Sequence, residues 1–148
     1  MKEYLDSLFG LLFIFWWFVC LKGISKLIGW ETLARKYEFK NKFHGKLLRC
    51  QGLGGSTHIG ANEDGLYFAV LFPFRPFHKP FLVPWQDIKV VRKRYLMRRG
   101  YKLMFPQVPE VMKKLSSDYT FFFFDKTFEK LATCVPEEIK MLLEKNQL

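Results

Sequence analysis

Residues 7–21 read SLFGLLFIFWWFVCL, an uncharged run of fifteen positions that ends before Lys22. A helix of this length covers about 22 Å, whereas a bilayer core is about 30 Å thick and takes about 20 apolar residues. The flanking residues extend the run, because Asp6 and Lys22 lie where polar and long side chains reach the membrane interface. The pattern predicts a transmembrane anchor over residues 1–23.

The run has two other interpretations, a cleaved signal peptide and a buried core helix. A cleaved signal peptide normally has a basic start and a small-residue cleavage site. Here the first six residues, MKEYLD, place one Lys beside two acids, and no such site follows the run. A buried core helix is the second alternative, but the density of Phe and Trp over this length favours a membrane span.

Charge sets the predicted orientation and the compartment. Lys2 is the only Lys or Arg before the uncharged run, whereas residues 22–42 contain six Lys and Arg residues. Because positive flanks stay in the cytoplasm, we expect an outside N-terminus and a cytoplasmic C-terminal domain. Residues 22–148 carry 23 basic and 12 acidic side chains, so they are drawn to an anionic leaflet. Three cysteines give no disulfide framework, in keeping with a reducing compartment.

A second helix is predicted directly after the anchor, over residues 24–38. Its apolar residues recur at i, i+3, i+4 and i+7 from Trp30, and Gly29 allows a bend before them. Such a helix lies either on the membrane surface or on the domain that follows. Amphipathicity alone does not separate these alternatives.

Residues 39–148 are predicted to form the domain. Strands are expected at residues 44–50, 56–61, 66–72, 81–85, 88–95, 101–105 and 119–124, in this order along the chain. We expect a turn at Gly100 between the fifth and sixth strands, a short helix from Asp125 to Leu131, and a final helix that begins at Val135. The fold class is therefore α+β: a transmembrane helix, then a mainly antiparallel bent sheet or small barrel of about seven strands with a C-terminal helix. Pleckstrin-homology-like (PH-like) and GRAM-like domains share this plan.

Two motifs carry a further resemblance. Residues 29–37, GWETLARKY, match a G-W-x-x-L-A-x-x-Y pattern, and residues 74–85, FRPFHKPFLVPW, match F-R-P-x-H-x-P-x-L-x-P-W. The chain resembles small, uncharacterised bacterial membrane-anchored proteins in both stretches. The resemblance implies a bacterial inner (cytoplasmic) membrane and brings no activity with it.

The sequence contains no recognisable catalytic, cofactor or metal motif. The glycine-rich residues 52–57 lack the G-K-[ST] ending of a phosphate-binding loop, so a hairpin turn is the better interpretation. His44, His58 and His78 have no ligand-like spacing with one another or with Cys. We therefore predict no enzyme, no cofactor and no metal. A site assembled from residues far apart in sequence is the remaining enzymatic alternative.

Basic residues in two places are the predicted interaction surface. In the proline-rich connection the candidates are Arg75, His78 and Lys79, and in the fifth and sixth strands they are Arg92, Arg94, Arg98 and Arg99. Cationic residues beside a membrane attract anionic lipid headgroups by about 1 kcal/mol each, so the anchor favours lipid over nucleic acid. The chief functional alternative is a subunit or assembly factor of a membrane protein complex. The non-functional alternatives are a rigid crossover and a charged hairpin that resists edge pairing.

Overall fold

The computed structural model describes residues 2–50, 56–95, 98–110, 122–133, 135 and 137. The elements in chain order are α1 (Lys2–Leu27), α2 (Trp30–Lys36), β1 (Leu47–Cys50), β2 (Thr57–Ala61), β3 (Gly65–Val70), β4 (Phe81–Pro84), β5 (Lys89–Tyr95), β6 (Arg98–Met104), β7 (Phe122–Phe124) and α3 (Asp125–Ala132). A short 3₁₀ turn, Trp85–Asp87, joins β4 to β5. The predicted glycine-rich turn and the final helix lie outside the described residues, apart from single positions.

The first helix contains the predicted apolar run and continues beyond it. Within α1, the 22-residue segment Asp6–Leu27 is long and apolar enough to cross a membrane. The helix itself continues past residue 23 and ends at Leu27. Most of its large apolar side chains are exposed, among them Phe13 and Trp16.

The predicted bend at Gly29 is confirmed. Gly29 has a φ of 73°, in the left-handed region that glycine adopts without steric cost, and α2 begins at the next residue. The face of α2 formed by Trp30, Leu33 and Ala34 is buried in the core. Of the two predicted positions for this helix, the structure shows packing on the domain.

The first sheet is an antiparallel meander in the order β1-β2-β3-β4. Its β2–β3 turn is closed by Asn62, whose side-chain oxygen accepts a hydrogen bond from the backbone N–H of Gly65 at 3.0 Å. Gly65 pairs with Pro84 of β4, and a Cβ atom at Gly65 would lie 2.1 Å from the Val83 carbonyl oxygen. Glycine is therefore required where β3 starts.

The second sheet has the order β5-β6-β7. Here the predicted turn at Gly100 is wrong, because Gly100 lies inside β6, where it pairs with Lys93 on one side and Phe124 on the other. The ladder runs from Lys89 opposite Met104 to Tyr95 opposite Arg98, so the chain reverses between Tyr95 and Arg98. Glycine is typical of turns but also occurs inside strands, and here it lies in the central strand of the sheet.

The two sheets and α2 share one apolar core. Phe68 and Phe81 from the first sheet stack at 5.0 Å between ring centroids, and Phe105, directly after β6, meets Phe68 at 6.3 Å. Leu131 of α3 is buried in the same core. The seven described strands thus form two sheets, of four and three strands, followed by a helix. Strand pairing within the described ranges does not close them into one barrel.

Candidate functional site

The connection between β3 and β4, residues 71–80, is the proline-rich segment predicted to bind a partner, and we call it the proline loop. It packs against the C-terminal half of α1. The ring of Phe74 lies 5.5 Å from that of Trp17, and the ring of Phe77 lies 6.1 Å from that of Phe18. The buried hydroxyl of Ser25 donates a 2.8 Å hydrogen bond to the Phe77 carbonyl oxygen. The loop is therefore bound to the apolar helix as well as to the sheet.

Trp30 holds the opposite side of the proline loop. Its side chain is fully buried, and its indole Nε1–H donates a 2.9 Å hydrogen bond to the carbonyl oxygen of Lys79. Its ring contacts His78 at 5.6 Å and Phe81 at 4.8 Å. The two motifs of the sequence, around Trp30 and around His78, are thus two halves of one packed unit.

His78 is separated from its basic neighbours by burial. Its side chain is 2% exposed, and its Nδ1–H donates a 3.1 Å hydrogen bond to the Pro76 carbonyl oxygen. Burial lowers the pKa of His78, and the bonds to the backbone of Pro76 and Phe74 only partly offset this effect. His78 accordingly supports the loop from inside, whereas Arg75 and Lys79 are exposed.

A cleft at the C-terminal end of the apolar run brings distant charges together. We call it the juxtamembrane cleft; its volume is about 300 Å³, and it opens between α1, α2 and the proline loop. Its lining residues are Lys22, Ser25, Glu31, Ala34, Arg35, Glu38, Phe77 and Lys79. Three cations and two carboxylates therefore surround one apolar-walled space.

The charges around the juxtamembrane cleft form exposed ion pairs. Arg35 contacts Glu31 at 2.9 Å, one helical turn away, and Lys79 contacts Glu38 at 3.7 Å. Both pairs keep most of the cationic side chain in solvent, so each contributes little to stability. The cations are available to exchange a carboxylate for another anion.

A larger and more open cavity, about 650 Å³, lies on the other side of Arg35. Lys26 and Lys36 line it, together with residues 107–110 after β6. The Lys36 ammonium donates a 2.8 Å hydrogen bond to the carbonyl oxygen of Gln107, which links α2 to the second sheet. Because Glu31 and Glu110 also line this cavity, its walls carry charges of both signs.

Behind the proline loop, a small cavity of about 170 Å³ separates α1 from the sheet. Leu21, Ile24, Ser56, Phe74 and His78 line it. Its walls are almost entirely apolar, so it belongs to the packing between helix and loop.

The arginines of the β5–β6 hairpin are distributed over both faces of the second sheet. The register pairs Arg94 with Arg99 and Arg92 with Tyr101, and these positions share the face of the buried pair Val90 and Leu103. Arg98 occupies the opposite face, beside Tyr95. The fold therefore places three of the four hairpin candidates on one face, and it places Arg75 and Lys79 on a loop of the other sheet.

The sequence did not single out Lys22 and Arg35 as members of one site with Lys79. One signal was present: Trp17, Leu21 and Ser25 recur every four residues, which puts them on one face of a helix. The polar Ser25 on that otherwise apolar face is the residue that the structure buries against the proline loop. The described residues contain no group of three or more His, Cys, Asp and Glu side chains arranged to hold a metal ion.

Comparison of the chain with protein-family models, with curated proteins and with solved structures finds no significant match.

Proposed function

We propose that the chain is a single-span protein of the bacterial inner membrane, with its N-terminus outside. In this proposal the cytoplasmic domain is PH-like and is a non-enzymatic module that binds anionic lipid headgroups. The meander of four strands, the second sheet of three and the helix after them agree with the PH-like plan. Similarity of fold does not establish a function. The proposed function therefore depends on the site.

The observation that carries the proposal is the position of the juxtamembrane cleft. Lys22 marks the end of the uncharged run of α1, so the cleft beside it lies at the level of the headgroups of that leaflet. Arg35 and Lys79 enter from α2 and the proline loop, at 79% and 75% side-chain exposure. A phosphate that meets these cations replaces the exposed carboxylates, and Phe77 and Ala34 provide an apolar wall for the adjoining part of the lipid.

Tethering strengthens this interaction. The domain is attached to the bilayer through α1, so contact with a headgroup is close to an intramolecular event, and weak affinity is sufficient for high occupancy. Each cation near an anionic surface contributes about 1 kcal/mol. Three cations at one cleft therefore favour an anionic over a neutral headgroup by roughly two orders of magnitude.

The full chain is the right object for the test, because Trp17 and Leu21 of α1 pack on the domain. The chain is reconstituted in bilayer discs containing phosphatidylglycerol and phosphatidylcholine, and native mass spectrometry counts the lipids that stay bound. We expect phosphatidylglycerol to be enriched, and the enrichment to be lost when Lys22, Arg35 and Lys79 are all changed to Ala.

A control variant removes the same charge elsewhere. Lys42, Lys46 and Lys126 are exposed and lie outside the cleft lining, so their replacement by Ala should keep the enrichment. Equal loss in both triple variants would reduce the effect to net charge. No enrichment in the unaltered chain would exclude the headgroup function.

The hairpin contribution is tested separately. Changing Arg92, Arg94 and Arg99 to Ala removes the three positions that share one sheet face. If the hairpin belongs to the lipid surface, this variant lowers the phosphatidylglycerol enrichment as the cleft variant does. An unchanged enrichment would assign these arginines to solvation of the hairpin.

A second function is favoured by one observation, the exposed aromatic stripe on the outer half of α1. Phe9, Phe13 and Trp16 follow one another at intervals of four and three residues, and each is about two-thirds exposed. Packed against other membrane helices, they would make the chain a subunit or assembly factor of a membrane complex. Purification in mild detergent tests this: a stoichiometric partner that is lost on changing Phe9 and Phe13 to Leu supports it.

The orientation is tested with inverted inner-membrane vesicles. A protease added outside should digest the domain, because it faces the medium in such vesicles if the positive flank is cytoplasmic. Protection of the C-terminus would reverse the proposed topology.

A further inference from the structure

The depth of the proline loop relative to α1 is fixed by ring contacts. Trp17 and Phe18 precede Lys22 by five and four positions, which corresponds to about 6–8 Å along the helix axis. The uncharged run is shorter than a bilayer core, so it has to lie wholly within the hydrocarbon of any membrane it crosses. Phe74 and Phe77, which contact these two rings, consequently lie at hydrocarbon depth as well.

The proline loop also exposes apolar surface to its surroundings. Phe72 is 84% exposed and Phe77 is 45% exposed, and Pro73 between them is exposed too. Phe77 has a φ of 66°, a left-handed conformation that is uncommon for a bulky residue. Exposed aromatic rings next to a membrane helix mark a membrane-contacting surface.

Part of the backbone of the proline loop is hydrogen-bonded within the protein. Pro73, Pro76 and Pro80 have no N–H to satisfy. The carbonyl oxygens of Leu71 and Arg75 accept hydrogen bonds from the backbone N–H groups of Phe74 and His78, in that order. The Pro76 carbonyl oxygen accepts one from His78 Nδ1–H, and the Phe77 carbonyl oxygen accepts one from the Ser25 hydroxyl. Trp30 supplies the fifth bond, to Lys79. Irregular backbone is tolerated at membrane depth only where its polar groups are satisfied by protein.

The charged residues of the proline loop also agree with a position at the membrane interface. Residues 71–80, LFPFRPFHKP, contain no carboxylate. Arg75 and Lys79 are exposed and have long apolar stems, so their charged ends reach the headgroups while the stems stay among apolar neighbours. His78 is buried between the loop and Trp30.

We propose that the proline loop is a second membrane element: it inserts beside α1 into the leaflet from which the helix emerges, with Phe72 and Phe77 among the acyl chains. The loop thereby sets the domain against the bilayer and completes an anchor whose uncharged run is too short alone. The inference rests on α1 spanning the membrane, which is part of the proposed function, and is independent of a preference for anionic headgroups.

Photocrosslinking of the full chain in vesicles of phosphatidylcholine alone tests the insertion. The crosslinker p-benzoylphenylalanine replaces one residue at a time: Phe72 in the loop, Phe13 in the middle of the uncharged run, and Glu63 in the exposed β2–β3 turn. We expect lipid adducts, detected by mass, at positions 13 and 72, with a several-fold lower yield at position 63. The substituted positions are exposed, so the fold should tolerate the label.

The outcomes separate this inference from the proposed function. Adducts at 13 but only the position-63 yield at 72 would overturn the insertion and leave the span intact. A yield at 13 no higher than at 63 would overturn the span and the insertion together. Adducts at 72 to a protein rather than to lipid would also overturn the insertion. Phosphatidylcholine is neutral, so none of these results depends on headgroup charge.

Discussion

The proline loop and the β5–β6 hairpin are both basic connections with aromatic neighbours, but they are held in different ways. The loop is fixed by side chains from two helices, Trp17 and Ser25 of α1 and Trp30 of α2. The hairpin is held along its length by backbone pairing with its own strands and β7. The position of the loop is therefore a property of tertiary packing, whereas the hairpin is held by the backbone pairing of its strands.

Among the changes considered, removal of the Trp30 side chain should destabilise the packing of the proline loop most strongly. Trp30→Ala deletes a fully buried ring and its hydrogen bond to Lys79, so we expect a loss of about 3–5 kcal/mol in the free energy of unfolding. Denaturant unfolding of the domain in detergent micelles measures it. Trp16→Ala is the control, since Trp16 is 67% exposed on α1; an equal loss there would contradict the assignment.

Changing Gly65 should disturb β3 and β4, the two strands that the proline loop connects. The added Cβ of Gly65→Ala meets the Val83 carbonyl oxygen at 2.1 Å, so β3 and β4 must shift apart, at a cost of about 1–3 kcal/mol. Thermal unfolding in micelles provides the measurement. Gly10→Ala serves as the comparison, because nothing lies within 4 Å of a Cβ at that position. Similar melting of both variants would refute the close approach.

The hydroxyl of Tyr37 joins the end of α2 to the segment that leads into the β5–β6 hairpin. It donates a 2.7 Å hydrogen bond to Asp87 Oδ2, just before β5, and burial together with this bond raises the pKa of Tyr37 well above its usual range. Tyr37→Phe should cost about 1.5 kcal/mol of unfolding free energy, at the low end for a bond to a charged group because the site is half-buried. Tyr4→Phe, at an exposed phenol, should cost nothing measurable.

His78 gives the loop a pH dependence that the hairpin lacks. Burial lowers the pKa of His78 below the ordinary value of 6.5, so the folded chain holds the ring neutral while the unfolded chain takes up a proton near pH 6.5. The unfolded state therefore binds more protons as pH falls through that value, and the domain loses stability.

Unfolding free energy measured between pH 7.5 and about 5.5 tests this. The slope of the unaltered chain should be reduced in His78→Gln and retained in His44→Gln, at an exposed histidine. Identical slopes in the unaltered chain and His78→Gln would show that other groups cause the pH dependence.

The smallest effect is expected on the hairpin. Arg94 is exposed, so Arg94→Ala should change the free energy of unfolding by no more than about 0.5 kcal/mol. Denaturant unfolding beside Trp30→Ala gives the sharpest form of the comparison. A loss above 2 kcal/mol at Arg94 would mean that the hairpin tip is held by tertiary contacts as the loop is.

Local patterns predicted most of the elements correctly. The apolar run, the bend at Gly29, the apolar face of the second helix and the order of the strands followed from periodicity and turn residues. The error at Gly100 has a local cause: glycine signals either a turn or a close strand contact, and the sequence does not distinguish them. The proline loop was correctly placed between two strands, but His78 was grouped with its exposed neighbours because burial depends on Trp30, 48 positions earlier.

The sequence by itself determined the apolar helix, the basic charge of the rest of the chain and the strand-rich domain, because these depend on composition and on contacts between near neighbours. Only the tertiary structure decided that α2 packs on the domain, that Lys22, Arg35 and Lys79 surround one cleft, and that the proline loop rests on Trp17 and Phe18. Those features join residues tens of positions apart, and pairings at such separations are selected by core packing, for which a one-dimensional pattern contains no distance.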